Sequence, residues 1–167
     1  MGLFSFNTIA QESIYDITIN DISGDKIYFS DFKGKYILIV NVASECGFTP
    51  QYHDLETLQR RFDDLVIIGV PCNQFGGQEP ASEKEISAFC TSNFNVSFLL
   101  TEKINVKGKE QHPLYQWLTK KSKNGKLNSS VKWNFQKYVI NQNGELVNYF
   151  YSITKPLSPK ITSIFTQ

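Results

Sequence analysis

The chain has 167 residues and a nearly balanced charge, since 17 lysines and arginines face 16 aspartates and glutamates for a net charge of +1. A chain of this length buries about two-thirds of the surface that its unfolded form exposes, so we expect one domain over residues 1–167. The balanced charge argues against nucleic acid or an anionic membrane as a partner. No apolar run reaches the roughly 18 residues of a membrane span and no signal peptide is recognisable, so we expect a cytoplasmic protein without integral membrane association.

The cysteines and histidines limit the chemistry that the chain can carry. Three cysteines, Cys46, Cys72 and Cys90, cannot all pair internally, and in a reducing cytosol such thiols are more often inert or catalytic than bridged. The two histidines are His53 and His112, and the sequence contains neither a CxxC nor an HExxH spacing. The sequence therefore predicts no metal site.

The first predicted elements are a hairpin and two buried strands. Residues 14–19 (IYDITI) and 26–30 (KIYFS) flank the turn-rich NDISGD, which is typical of two antiparallel strands. Residues 36–42 (YILIVNV) and 65–70 (LVIIGV) are apolar, β-branched runs. Such runs indicate parallel strands that are buried on both faces.

A helix is predicted between the two buried strands. Thr49 can cap this helix, and Pro50 suits its first position. Its apolar face recurs at helical spacing and consists of Leu55, Leu58 and Phe62. The strand, helix and strand then form a βαβ unit, which is right-handed by default.

The second half of the chain predicts two further helices and a hairpin. Ser82 and Glu85 form a capping box ahead of a helix that carries Cys90. HPLYQWLTKK, which begins at His112, has the pattern of another helix, whose start His112 caps or packs. Residues 138–151 read as strand, NQNG turn and strand, with the asparagine and the glycine of the turn at positive φ.

A short helix that begins near Pro159 ends the predicted order of elements. A βαβ unit first and a β-hairpin with a helix last is the order of a thioredoxin-like fold. We therefore expect an α/β protein of thioredoxin-like fold, in which helices flank a central mixed β-sheet and a β-hairpin precedes it.

Cys46, in NVASECGFTPQY, is the first candidate for chemistry, because it lies between a buried strand and a helix start. Ligands of open α/β sheets bind at that edge. The thiolate is the nucleophilic form, so a reactive Cys46 needs N–H donors from the helix start and from other loops. Glu45 would oppose the thiolate unless its side chain points away. The alternative is that Cys46 is a small buried apolar residue.

Two further stretches can supply such donors. VPCNQFGGQEP, residues 70–80, follows the other buried strand, so its loop opens on the same edge as Cys46 and brings amides that include Gln78. VKWNFQKYVI brings Trp133 and Asn134. Adjacent residues of a regular strand face opposite ways, so both reach one site only if the backbone is irregular there. The alternative roles are a plain turn for the glycine-rich loop and core packing for the tryptophan.

Taken together, these stretches resemble the glutathione peroxidase family, whose motifs read close to NVAS-x-CG-x-T, PCNQFG-x-QEP and KWNF in this order. The resemblance also covers KGKYILIVNVAS, HPLYQWL and the closing hairpin. Glu45 stands where a lysine is common, and Val70 where a phenylalanine is common. The resemblance implies that Cys46 is the peroxidatic residue, a position that some members fill with selenocysteine. It also implies that Gln78, Trp133 and Asn134 complete a catalytic tetrad.

The chemistry implied by the resemblance is reduction of hydrogen peroxide and of organic or lipid hydroperoxides by the Cys46 thiolate, which becomes a sulfenic acid. The family needs no metal or organic cofactor. Cys90 matches the resolving cysteine of members that thioredoxin recycles through a disulfide, whereas glutathione-using members generally lack it. Cys72 occurs with either reductant and belongs to loop packing, and the histidines stay outside the site.

The remaining expectations concern assembly and alternatives. Only a short segment, KSKNGKLNSSV, precedes VKWNF, where oligomeric relatives carry a long insertion, so the resemblance implies a monomer with an open site. One alternative keeps the same peroxide chemistry but uses glutathione as reductant. The other is a peroxide sensor, which passes oxidation from Cys46 to a partner protein by thiol exchange.

Overall fold

The N-terminal hairpin is shorter than predicted. A computed structural model describes residues 11–167, and in it β1 (Thr18–Asn20) pairs antiparallel with β2 (Lys26–Tyr28). The flanking segments Ile14–Asp16 and Phe29–Phe32 are 3₁₀-helical turns, not strand. The Ser13 hydroxyl accepts the Tyr15 N–H at 3.2 Å, and such local bonding competes with a sheet ladder.

In the described part of the chain, the central sheet has five strands in the order β5–β4–β3–β6–β7. Its strands are β3 (Tyr36–Val42), β4 (Leu65–Pro71), β5 (Leu99–Leu100), β6 (Lys137–Ile140) and β7 (Leu146–Phe150). β3 and β4 run parallel in the register Tyr36 to Leu65, as the apolar runs predicted. β6 pairs antiparallel with β3 and with β7. The mixed sheet and the preceding hairpin agree with the predicted architecture.

Within residues 11–167, five α-helices flank this sheet. They are α1 (Gln51–Arg61), α2 (Glu83–Phe94), α3 (Pro113–Thr119), α4 (Lys121–Asn124) and α5 (Pro159–Thr162). The capping box between Ser82 and Glu85 is confirmed, and so is the cap of α3, where His112 Nδ1 accepts the Leu114 N–H at 3.1 Å. None of the helices within residues 11–167 combines the length and the apolar character that crossing a bilayer requires.

Two local predictions were wrong. Pro50, not Thr49, is the N-cap of α1, because the Thr49 hydroxyl is already engaged inside the preceding loop. In the β6–β7 turn Gly144 has φ of 77°, but positive φ among the non-glycine residues of 11–167 occurs only at Asn95 and Phe135. Asn143, which precedes this glycine, therefore does not have the predicted positive φ. The Asn141 Oδ1 instead accepts the Asn143 N–H at 3.0 Å and the Glu145 N–H at 2.9 Å, which holds an ordinary turn conformation.

Both faces of the central sheet are covered by apolar side chains. Ile37 and Ile39 belong to one core cluster, and the alternate residues Leu38 and Val40 belong to the other. This alternation is what a strand buried on both faces requires. The first cluster contains Cys72, and the second contains Cys46, Cys90 and the α1 face. Two of the three thiols therefore share one side of the sheet.

Candidate active site

Cys46 sits in a tight turn between β3 and α1. Its N–H donates to Thr49 Oγ1 at 3.0 Å, and the Thr49 hydroxyl donates to the Ala43 carbonyl at 2.8 Å. The Phe48 N–H donates to Cys46 Sγ at 3.4 Å. Cys46 is 8% exposed, whereas Glu45 is exposed. The turn thus provides an N–H donor to the sulfur. Glu45 is on the solvent side, so its carboxylate does not oppose formation of the thiolate as it would if it faced the sulfur.

The loop after β4 brings Gln78 to the Cys46 turn. The Glu45 N–H donates to the Gln78 carbonyl at 3.0 Å, which joins the two loops through their backbones. Gly76 and Gly77 have φ of 68° and 63°, a conformation that glycine adopts without strain. A Cβ on Gly76 would lie 3.4 Å from the Trp133 ring. The bare glycine therefore lets this loop turn closely beside the indole.

The third loop, before β6, brings Trp133 and Asn134 to the same place. Asn134 is fully buried, and its Nδ2 donates to Gln78 Oε1 at 3.0 Å. Trp133 is 38% exposed, and its ring packs edge-on against Phe75 with ring centroids 5.8 Å apart. The backbone is irregular here, as expected if both side chains serve one site, because Phe135 has φ of 62°.

Asn41 anchors this irregular segment and was missed by the sequence reasoning. Its Nδ2 donates to the Trp133 carbonyl at 3.0 Å, and its carbonyl accepts the Phe135 N–H at 2.6 Å. The Ser152 hydroxyl also donates to the Asn134 carbonyl. A fully buried asparagine inside the apolar run YILIVNV was the available signal, since buried polar groups need specific partners.

The predicted residues are thus joined to different degrees. Gln78 and Asn134 contact each other directly. The Trp133 ring lies beside Gly76, in the same glycine-rich loop as Gln78. Cys46 is tied to the group through the backbone bond between Glu45 and Gln78. Within residues 11–167 the sulfur accepts one hydrogen bond, from Phe48, and neither Gln78 nor Trp133 donates to it.

Cys90 and Cys72 are buried in different surroundings. Cys90 lies in α2, and burial raises the pKa of its thiol to about 11. Burial also raises the pKa of Cys72, whose Sγ donates to Gln74 Oε1 at 3.6 Å. The Gln74 oxygen also accepts the Val106 N–H at 2.7 Å. All three cysteines are free thiols, so this is the reduced form of the protein.

Lys137 is a buried residue that supports the site by linking two segments of the chain. It is fully buried at the start of β6, and its Nζ donates to Gln51 Oε1 at 2.6 Å, the Thr154 carbonyl at 2.7 Å and the Ser152 carbonyl at 3.2 Å. Burial lowers the pKa of Lys137 to about 7. The side chain thereby ties the first residue of α1 to the segment after β7.

Among residues 11–167 no three histidine, cysteine or acidic side chains are grouped as a metal ion would require.

Known proteins resemble this chain over most of its length. The sequence model described as glutathione peroxidase matches residues 14–119. Glutathione peroxidase-like peroxiredoxin 2 of Saccharomyces cerevisiae is 47% identical over 149 residues, which cover 87% of this chain and 91% of the relative. The hydroperoxy fatty acid reductase of Synechocystis is 42% identical over 154 residues, with coverage of 88% and 91%.

Solved structures agree with these relatives. A crystal structure titled Trgpx in apo form superposes with a TM-score of 0.71 at 36% identity, covering 93% of this chain and 96% of the other. A thioredoxin family protein from Chlorobium tepidum superposes with a TM-score of 0.58 at 11% identity, covering 93% and 91%. The second likeness concerns the fold alone and confirms the thioredoxin-like architecture. With the family match and the 47% identical relative, the chain belongs to the glutathione peroxidase family and is a peroxidase.

Proposed function

We propose that the protein is a thiol peroxidase that reduces hydrogen peroxide and organic hydroperoxides through Cys46 and is recycled by thioredoxin through a Cys46–Cys90 disulfide. The Cys46 thiolate attacks the O–O bond, the sulfur keeps one oxygen as a sulfenic acid, and the other oxygen leaves as water or an alcohol after taking up a proton. The observation that carries this proposal is the meeting of three loops, which brings Gln78 into contact with both Asn134 and the Cys46 turn.

The amide of Gln78 is the main donor in this mechanism. Its oxygen is occupied by Asn134 Nδ2, which fixes the orientation of the amide. Within residues 11–167 neither Gln78 Nε2 nor Trp133 Nε1 donates a hydrogen bond to another acceptor. Both N–H groups can therefore donate to the peroxide and to the oxyanion that develops as the O–O bond breaks. Neutral donors do this without adding a charge.

Resolution by Cys90 requires α2 to open. Cys90 is fully buried in the helix. Of the twelve residues of α2, however, only two are buried, Ile86 and Cys90. A helix that contributes so few buried side chains can unwind at low cost in free energy. Local unwinding then brings the Cys90 sulfur to Cys46, since a disulfide needs Cα atoms within about 7 Å.

The reductant and the setting complete the proposal. Relatives named glutathione peroxidase-like peroxiredoxins support recycling by a thiol protein, and the presence of Cys90 favours thioredoxin over glutathione. The name of the Synechocystis relative supports lipid hydroperoxides among the substrates. We further propose that the protein acts in the cytoplasm as a single-domain monomer, because α4 (Lys121–Asn124) and a short loop connect α3 to the Trp133 segment.

The test is oxidation of the reduced protein with one equivalent of hydrogen peroxide, followed by disulfide mapping by mass spectrometry. Cys46→Ser and Cys90→Ser are the informative variants, and Cys72→Ser is the matched control. We expect a Cys46–Cys90 bridge in the wild type and in Cys72→Ser, which thioredoxin reduces. A Cys46 sulfenic acid that persists in the wild type and is cleared by glutathione alone would contradict the two-cysteine cycle.

A further inference from the structure

The side chain of Asn134 is anchored through its nitrogen. Its Nδ2 donates to Gln78 Oε1 at 3.0 Å and reaches the Phe75 carbonyl at 3.5 Å. Within residues 11–167 its Oδ1 has no hydrogen-bond partner, although Asn134 is fully buried. The orientation of this amide, and with it that of the Gln78 amide, therefore depends on how firmly the backbone of Asn134 is held.

That backbone has an unfavourable conformation. Phe135, the next residue, has φ of 62°, a value that a large side chain rarely adopts and that persists where the surroundings impose it. The peptide group between Asn134 and Phe135 is hydrogen-bonded at both ends. Its N–H donates to the Asn41 carbonyl at 2.6 Å, and its carbonyl accepts the Ser152 hydroxyl. These partners come from β3 and from the segment after β7, so the loop that carries Asn134 is held from outside.

The hydroxyl of Ser152 is not needed to shape the turn in which it lies. The backbone closes this turn, because the Thr154 N–H donates to the Tyr151 carbonyl at 3.0 Å. Ser152 is 7% exposed, and within residues 11–167 its hydroxyl donates to the Asn134 carbonyl. The hydroxyl therefore fixes the neighbouring loop and not its own.

Lys137 and Gln51 fix Ser152 in turn. The Ser152 carbonyl accepts Lys137 Nζ at 3.2 Å and Gln51 Nε2 at 2.7 Å. Lys137 Nζ also donates to Gln51 Oε1 at 2.6 Å and to the Thr154 carbonyl at 2.7 Å, which uses the three donors of an ammonium group. These bonds together fix the position of the Ser152 backbone.

We propose that Ser152 is a positioning residue for the peroxide step. Its hydroxyl holds the Asn134 carbonyl, so that the Asn134 amide keeps the Gln78 amide in place to donate to the peroxide. Lys137 acts one step further away, by holding Ser152. This inference rests on the proposed function, because it needs Cys46 to attack the peroxide and Gln78 to donate to the oxyanion. A small displacement of such a donor lowers the rate strongly.

The experiment compares two reactions of the Cys46 thiolate. Reduced protein reacts either with hydrogen peroxide, which needs the Gln78 donor, or with iodoacetamide, which needs the thiolate and access to it. Mass spectrometry of acid-quenched samples follows the loss of the free Cys46 thiol in both reactions. We expect Ser152→Ala to lower the peroxide rate about 10-fold and to leave the alkylation rate within about twofold of the wild type. Gln78→Ala is the reference and should lower the peroxide rate alone, roughly 100-fold.

Thr119→Val is the matched control. The Thr119 hydroxyl is also buried and donates to a backbone carbonyl, that of Tyr115 at 2.6 Å, but it lies in α3, outside the three loops of the site. This variant loses a comparable hydrogen bond and should keep both wild-type rates. Positioning changes the ratio of the peroxide rate to the alkylation rate, whereas a merely structural role of Ser152 would slow both reactions equally or neither of them.

A double-mutant cycle tests whether Ser152 acts through Asn134. Because Asn134→Ala already removes the link to Gln78, adding Ser152→Ala to it should change the peroxide rate by less than about twofold. A further loss of about 10-fold in the double variant would show that Ser152 acts independently of Asn134 and would overturn the inference.

The outcomes are separable. Ser152→Ala with the wild-type ratio of the two rates overturns the inference. If Ser152→Ala does not fold, Lys137→Met decides, because it should lower the same ratio at least about threefold and an unchanged ratio overturns the inference. If hydrogen peroxide does not oxidise Cys46 in the wild type, the proposed function itself fails. If the wild type and Gln78→Ala react with peroxide at the same rate, Gln78 is not the donor and the role of Ser152 is refuted.

Discussion

Glu56 connects α1 to the segment that follows α2, and its removal should destabilise the protein measurably. The residue is 5% exposed, and its carboxylate accepts the Ser97 N–H at 2.8 Å, the Ser97 hydroxyl at 2.6 Å and Arg60 Nε at 2.8 Å. Hydrogen bonds to a charged group contribute about 1.5–3 kcal/mol each. The Arg60 side chain is 67% exposed, so that ion pair adds at most about 0.5 kcal/mol.

Both Ser97 bonds end on one carboxylate and are not additive, so we expect Glu56→Ala to lose about 3 kcal/mol. A domain of this size changes its Tm by about 2–4 °C per kcal/mol, which predicts a drop of about 6–12 °C in thermal unfolding followed by circular dichroism. Arg60→Ala is the control and should shift Tm by less than about 2 °C. A similarly small shift for Glu56→Ala at pH 7 would refute the reasoning.

The Tm values of the wild type and of Glu56→Ala should also differ in their dependence on pH. Burial alone would raise the pKa of Glu56, but the hydrogen bonds from Ser97 and Arg60 outweigh it and hold that pKa below its ordinary value. A lowered pKa in the folded state stabilises the fold above the unfolded pKa of about 4.3, and this stability is lost as pH falls through the folded pKa. The Tm gap between wild type and Glu56→Ala should therefore narrow below about pH 4. An unchanged gap at pH 3 would contradict this.

Three further predictions concern the site and its supports. Asn134→Asp replaces the donor to Gln78 with an acceptor, so we expect Cys46 oxidation to slow roughly 10–100-fold in stopped-flow fluorescence, and a rate within twofold of the wild type would count against it. Ser82→Ala removes the capping box of α2 and should cost about 1 kcal/mol and speed amide exchange in that helix, whereas unchanged exchange would show that the box is dispensable. Lys137 has a pKa of about 7 in the folded state, which is below its unfolded value of about 10.4. Between these two pH values the unfolded state binds more protons than the folded state, so the free energy of unfolding rises with pH there. Lys137→Met should lack this rise in urea unfolding, and equal slopes for both proteins would disprove it.

The sequence predicted those parts of the fold that depend on local patterns. β3 matches the predicted range because an apolar run buried on both faces has little alternative to a central strand. The capping box of α2 was equally readable, since Ser82 and Glu85 satisfy each other three residues apart. The meeting of Cys46 with the Gln78 loop followed from topology, because parallel strands end at the same edge of a sheet.

Other features depend on partners far away in sequence, and no local pattern reveals them. Thr49 looked like a helix cap, but the Ala43 carbonyl and the Cys46 amide are nearer partners in the folded loop. Lys137 stands in an apolar strand, and its acceptors come from Gln51 and Thr154, which lie before and after it in the chain.

The division of the core by the central sheet separates the cysteines into compartments. Cys72 packs on one face, whereas Cys46 and Cys90 pack on the other. Thiol exchange requires sulfur atoms to touch, and Cys72 packs in a different cluster from the other two thiols although its loop opens at the same edge of the sheet. A disulfide formed during turnover can therefore reach Cys72 only if the loop after β4 leaves its packing, where the Cys72 N–H donates to the Val42 carbonyl at 3.1 Å. The packing thus disfavours scrambling of the protein's own bonds while a peroxide is being consumed.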